Sequence, residues 1–180
     1  MIKNILLTGH PGVGKTTLVK KIIERFSHLA VTGFFTEEVR DKGSRVAFRA
    51  VALNGNSAIF AHRDFRTKPE FRVGRYGVKT EVLETLVSAH LDPNRKAADL
   101  LIVDEIARME ILSLSIKQTL EAALDSECLL LGTVSLKGTG FIKRVKNRKD
   151  VQVVKITREN RGAMEGQVCR RLLQLMSSVT

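Results

Sequence analysis

Apolar residues fall along the chain in short continuous runs and in longer stretches of helical spacing. Ile2 and Ile5-Leu6-Leu7 make a run that suits a buried parallel strand, and Val19, Ile22, Ile23 and Phe26 follow at i, i+3, i+4 and i+7, one face of a helix. Residues 30–40 read as a second strand, with a turn at Asp41-Lys42-Gly43-Ser44. Residues 45–53 alternate, with Val46, Phe48 and Ala50 on one face and Arg45, Arg49 and Val51 on the other. Asn54-Gly55 is a hairpin signal, and residues 57–61 make a third strand. The three predict an antiparallel meander at one edge of the sheet.

Further along, residues 62–72 are polar and read as a surface loop, and Gly74-Arg75-Tyr76-Gly77 as a second glycine-bounded loop. Val78, Val82, Leu83, Leu86, Val87 and Leu91 mark an amphipathic helix that Asp92-Pro93-Asn94 ends. Leu100-Leu101-Ile102-Val103 is a central-strand run. Ile116, Leu120, Ala123 and Leu124 predict a helix, residues 128–131 a strand leading into Gly132-Thr133-Val134, and residues 137–149 a basic loop with at most a short helix. A last strand over 151–156 and a helix through Met164, Val168, Leu172 and Leu175 close the chain. The alternation of strands and helices gives an α/β class with a sheet flanked by helices.

One hundred and eighty residues, 43% hydrophobic, are read as one domain over residues 1–180. Eighteen consecutive apolar residues occur nowhere, so no membrane span is expected. The first strand starts almost at once, which leaves no room for a signal peptide, and Cys128 and Cys169 have no metal spacing. Both cysteines read as buried thiols in a reducing cytoplasmic setting; the oligomeric state is left open. The net charge of +11 is uneven, with eleven Lys and Arg against three acids from Lys137 to Arg171. Such a stretch suits nucleic acid, a polyanionic triphosphate, or a solvated basic surface. With one Tyr and no Trp, nucleic acid is a possible but not the favoured partner.

The chemistry concentrates in Gly9-His10-Pro11-Gly12-Val13-Gly14-Lys15-Thr16, which fits the phosphate-binding pattern G-x-x-x-x-G-K-[ST] between a strand and a helix. Gly9, Gly12 and Gly14 free the backbone so that N–H groups and the helix N-terminus face phosphate oxygens. Lys15 then reaches the β- and γ-phosphates, the Thr16 hydroxyl ligates Mg²⁺, and Thr17 is near the α-phosphate. His10 and Pro11 occupy free positions of the pattern. The run through Val103 ends in Asp104-Glu105, where Asp104 is read as the Mg²⁺-side carboxylate and Glu105 as the base for an attacking water. A further cation for the γ-phosphoryl is sought among Arg108, first, and Arg75 and Arg144.

Water as acceptor favours a hydrolase. A nucleotide or nucleoside kinase that uses the Lys137–Lys149 stretch as a lid is the alternative, and a nucleic-acid-binding protein with a regulatory ATPase is the third reading.

Three further stretches carry a resemblance: Thr36-Glu37-Glu38-Val39-Arg40 with its hairpin, Val73-Gly74-Arg75-Tyr76-Gly77-Val78, and Asp104-Glu105-Ile106-Ala107-Arg108-Met109-Glu110. With the phosphate loop, the chain resembles the THEP1 family of nucleoside-triphosphatases over nearly its whole length. In that family the last motif is usually Asp-Glu-Ile-Gly-Lys-Met-Glu; here Ala107 and Arg108 replace Gly and Lys, and Arg is not a neutral swap for Lys. The resemblance implies a RecA-like, mostly parallel sheet and slow, Mg²⁺-dependent hydrolysis of ATP, GTP, CTP and UTP. It carries nucleotide binding onto Gly9 to Thr16 and onto Leu101, Ile102, Val103, Asp104, Glu105, Ile106, Ala107 and Arg108.

Overall fold

The computed structural model describes residues 1–91 and 98–177. The helix stop expected at Asp92-Pro93-Asn94 lies outside them. Among the described residues, nine strands form one sheet: β1 (Asn4–Thr8), β2 (Val31–Asp41), β3 (Ser44–Ala52), β4 (Ser57–His62), β5 (Arg72–Val73), β6 (Tyr76–Val78), β7 (Leu100–Ile106), β8 (Leu129–Val134) and β9 (Val151–Lys155). Their order across the sheet is β5-β6-β4-β3-β2-β7-β8-β1-β9. The five helices are α1 (Lys15–Arg25), α2 (Thr80–Leu91), α3 (Leu114–Asp125), α4 (Gly140–Lys146) and α5 (Arg161–Ser177).

The sheet is mixed in equal parts. β2, β7, β8, β1 and β9 pair in parallel, whereas β2-β3, β3-β4, β4-β6 and β5-β6 are antiparallel. The expected "mostly parallel" sheet is therefore corrected. The meander is longer than its sequence signal, because Gly74-Arg75 is the turn of a further hairpin and Tyr76 and Val78 are buried strand residues. Val78 thus belongs to β6, and α2 starts at Thr80.

Alternation in the central strands sorts side chains onto two layers. Leu101, Val103, Leu130 and Leu6 face the core built with α2, α3 and α4; Leu100, Ile102, Leu129, Leu131, Ile5 and Leu7 face the core built with α1 and α5. The stretch 137–149 is no open loop. Phe141, Ile142 and Val145 of α4 are buried, because they recur on one helical face and are too apolar to leave in water. Its charges are tied locally: Arg144 to Glu121 at 3.3 Å and Arg148 to Asp125 and Asp150 at 2.6 and 2.7 Å. Cys169 is buried, but Cys128, just before β8, is only half-buried. No described helix is long and apolar enough to cross a membrane.

Ile102 sits at the centre of β7 with 0% exposure. Ile102→Ala is expected to lower stability by about 2–5 kcal/mol through lost burial and a cavity, read as a drop in the urea unfolding midpoint.

Candidate active site

β1 and β7 deliver the two motif halves to one edge of the sheet, with β8 between them. The turn after β1 needs glycine for two separate reasons. Gly12 and Gly14 have φ of 74° and 106°, which side-chain-bearing residues rarely adopt. Gly9 is required by space instead: a Cβ there would lie 2.5 Å from the Ile156 carbonyl oxygen at the end of β9. The shared conformational role expected for all three glycines is thus corrected at Gly9. The Val13 side chain is buried in the core, and its N–H donates to the His10 carbonyl at 3.2 Å. His10 and Pro11 in the turn and Thr17 in α1 are exposed.

α1 begins at Lys15 directly after Gly14, so Lys15 and Thr16 lie in its first turn. The Lys15 Nζ is 3.4 Å from the Gly9 carbonyl and 3.9 Å from Glu105 Oε1. Asp104 is the next residue after Ile102 on the α1 side of β7, only 1% exposed. The Thr133 hydroxyl at the end of β8 donates to its Oδ1. Its Oδ2 is buried with no partner. Burial raises the proton affinity of Asp104, while the hydroxyls of Thr133 and Thr16 and the Lys15 charge oppose that. Thr16 and Asp104 are thus brought together.

Glu105 is partly open to solvent. Burial pushes its carboxyl upward, Lys15 opposes the shift, and Asp104 adds to it. The peptide bond joining Asp104 to Glu105 is cis. Of the segment 101–108, expected to bind nucleotide, only Glu105, Ala107 and Arg108 are open to solvent. Leu101, Ile102, Val103 and Ile106 have 0% exposure, because a central strand covered on both faces buries every side chain. Ala107 is half-buried, and Arg108 is exposed on the following turn with no ion pair among the described residues. Arg75 lies at the far sheet edge, donating to the Arg45 carbonyl at 2.7 Å, and the exposed Arg144 pairs with Glu121 at 3.3 Å.

A family model described as NTPase matches residues 4–169. The nucleoside-triphosphatase THEP1 of Thermotoga maritima is 36% identical over 164 residues, spanning 91% of this chain and 92% of that protein. The human cancer-related nucleoside-triphosphatase is 35% identical over 177 residues, spanning 89% of this chain and 92% of its own. The crystal structure of THEP1 from Aquifex aeolicus superposes with a TM-score of 0.84 at 31% identity, covering 94% of this chain and 98% of that one. The chain belongs to the NTPase family.

In this NTPase-family chain Thr133 lies outside the motifs read for function, and Glu110, the last residue of the 104–110 motif, has no role in the sequence reading. Thr133 had one signal, a polar residue at the end of an otherwise apolar central strand. Glu110 lies on a short 3-10 turn after β7, 5% exposed, and its Oε2 is buried without a partner. Its carboxyl is pushed up to about 8, chiefly by burial, with Glu105 and Asp104 adding to the rise and the N–H groups of Glu110 and Ala107 opposing it. Among the described residues, no three His, Cys, Asp or Glu are grouped to hold a metal by themselves.

The Glu110 shift has a defined sign. The folded chain holds its proton more tightly than the unfolded chain, so stability is full below about pH 4.5, the ordinary carboxyl range, and falls as pH rises towards 8. Glu110→Gln is expected to exceed the parent in stability at pH 8, by on the order of a few kcal/mol, and to converge with it near pH 5. Urea unfolding across that range checks this; parallel curves contradict it.

Proposed function

We propose that this chain hydrolyses nucleoside triphosphates to nucleoside diphosphate and phosphate in a P-loop, RecA-like site that works with Mg²⁺. The observation that carries the reading is the buried, unpartnered Oδ2 of Asp104 beside Thr16, at the mouth of a glycine loop whose Lys15 sits 3.9 Å from Glu105. Burying a carboxylate oxygen without a partner is costly. A buried carboxylate beside a hydroxyl suits a hard divalent cation, which Asp104 and Thr16 would hold. The residues present fit Mg²⁺. When bound it neutralises charge on the β- and γ-phosphate oxygens.

The chain's own groups do the rest. Backbone N–H groups of the glycine loop and the N-terminus of α1 hold the phosphates, and Lys15 leaves Glu105 to meet the γ-phosphate. Glu105, freed and already raised in proton affinity, takes a proton from a water molecule. The water oxygen bonds to the γ-phosphorus as the bond to the bridging oxygen breaks, and the diphosphate leaves with that electron pair. Arg108 is the nearest exposed arginine to this point in sequence, and no ion pair holds it among the described residues. The site as built grips phosphates, and no base-reading motif accompanies it, which favours broad use of ATP, GTP, CTP and UTP. The kinase alternative required the Lys137–Lys149 stretch to move as a lid, whereas α4 is anchored by Phe141, Ile142 and Val145.

Phosphate release from the four triphosphates with Mg²⁺ tests the reading. Glu105→Gln is expected to lower kcat by about 10²–10⁴-fold with nucleotide affinity kept, and Lys15→Ala to abolish triphosphate binding. Hydrolysis unchanged in Glu105→Gln sinks Glu105 as the base.

A further inference from the structure

On the β2 side of the site lies a cation that no motif marks. Lys20 stands four positions after Thr16 in α1, so both project from one helix face, towards β7 and β2. Phe35 of β2 is the register partner of Asp104. The Lys20 Nζ lies 4.0 Å from the centre of the Phe35 ring and 2.7 Å from Glu37 Oε1, two residues further along β2 on the same strand face. The lysine therefore stretches over the ring of the residue paired with Asp104, towards the rim of the sheet. Its charge is felt at Asp104, alongside that of Lys15.

The pair is about 40% exposed on each side, and such ion pairs add little to stability. Its position needs another reason. The γ-phosphoryl requires positive charge beyond Lys15, and of the three arginines considered, Arg75 and Arg144 are committed elsewhere.

We propose that Lys20 supplies the second positive charge at the γ-phosphate side of the site, and that Glu37 is its positioning residue, drawing the ammonium over Phe35 to the rim. This rests on the hydrolase reading above. Phe35 fixes the path of the lysine stem, and Glu37 fixes its end. The β-phosphate lies nearer the glycine loop, so Lys20 distinguishes triphosphate from diphosphate. Partial exposure limits the effect to far less than the 10³–10⁵ of a fully engaged arginine.

The test compares Lys20→Met, Lys20→Arg, Glu37→Gln and the Lys20→Met/Glu37→Gln double variant. Steady-state hydrolysis of ATP and equilibrium binding of ATP and ADP are measured, with unfolding midpoints as the folding control. Lys20→Met and Glu37→Gln are each expected to lower kcat by about tenfold, a modest electrostatic loss. ATP affinity falls in Lys20→Met while ADP affinity holds, and Lys20→Arg restores most of kcat. The double variant is no worse than Lys20→Met, because Glu37 acts only through the lysine. A parent chain that hydrolyses ATP while Lys20→Met keeps its kcat and its ATP-to-ADP preference overturns the inference alone. Single effects that multiply in the double variant overturn the assignment of Glu37. A parent chain that hydrolyses no triphosphate overturns the hydrolase reading and the inference with it.

Discussion

A carboxylate taken out of water at the edge of a sheet constrains this structure more than any other group. Asp104 needs a donor on one side, and β8 supplies the Thr133 hydroxyl; it needs positive charge nearby, and the first turn of α1 supplies Lys15. Those partners come from different strands and helices, so they meet only if β1, β8 and β7 keep their register and α1 lies close against the sheet. The apolar layers on both faces enforce that register, since a one-residue slip in β7 would turn Ile102 and Asp104 onto the opposite face. Core packing and site geometry are thus the same constraint seen from two distances.

The parts legible in the sequence are those written in local patterns. The glycine loop, the run before Asp104 and the hairpin at Asn54-Gly55 each carry their geometry within a dozen residues. What escaped is set by contacts between distant segments. Gly9 is explained by the Ile156 carbonyl, and Thr133 gains meaning only because β8 inserts between β1 and β7. The basic stretch 137–149 reads as solvated if charge is counted, but its three large apolar residues decide its place as α4. Leu101, Ile102 and Val103 run into Asp104 as one block of sequence, yet a strand covered on both faces leaves only its end free to meet a ligand. Half of the sheet is antiparallel because the meander continues through β5 and β6, whose two- and three-residue strands are too short to carry a periodic signal.

Charge in this chain is high but organised. Arg45 bonds Glu38 at 2.6 Å and the Tyr76 hydroxyl at 3.1 Å, which fastens the outer hairpin to the long β2. Arg148 does the same between α3 and the start of β9. Net charge alone therefore describes the surface poorly: much of it holds elements together, and the groups left over around the phosphate loop are few and specific.

The placing of β1 carries a consequence for the order in which the molecule is made. β1 holds the loop's leading end, yet its two neighbours in the sheet are β8 and β9, both from the far end of the chain. Gly9 rests against Ile156, beyond β9. During synthesis the phosphate loop leaves the ribosome before β8 and β9 and stays without that scaffold until both have followed. Contacts so far apart in the chain are slow to close. The glycine loop is written well before the contacts that hold it, so a ribosome-bound fragment short of β9 carries the whole glycine motif without the residue on which its first glycine rests.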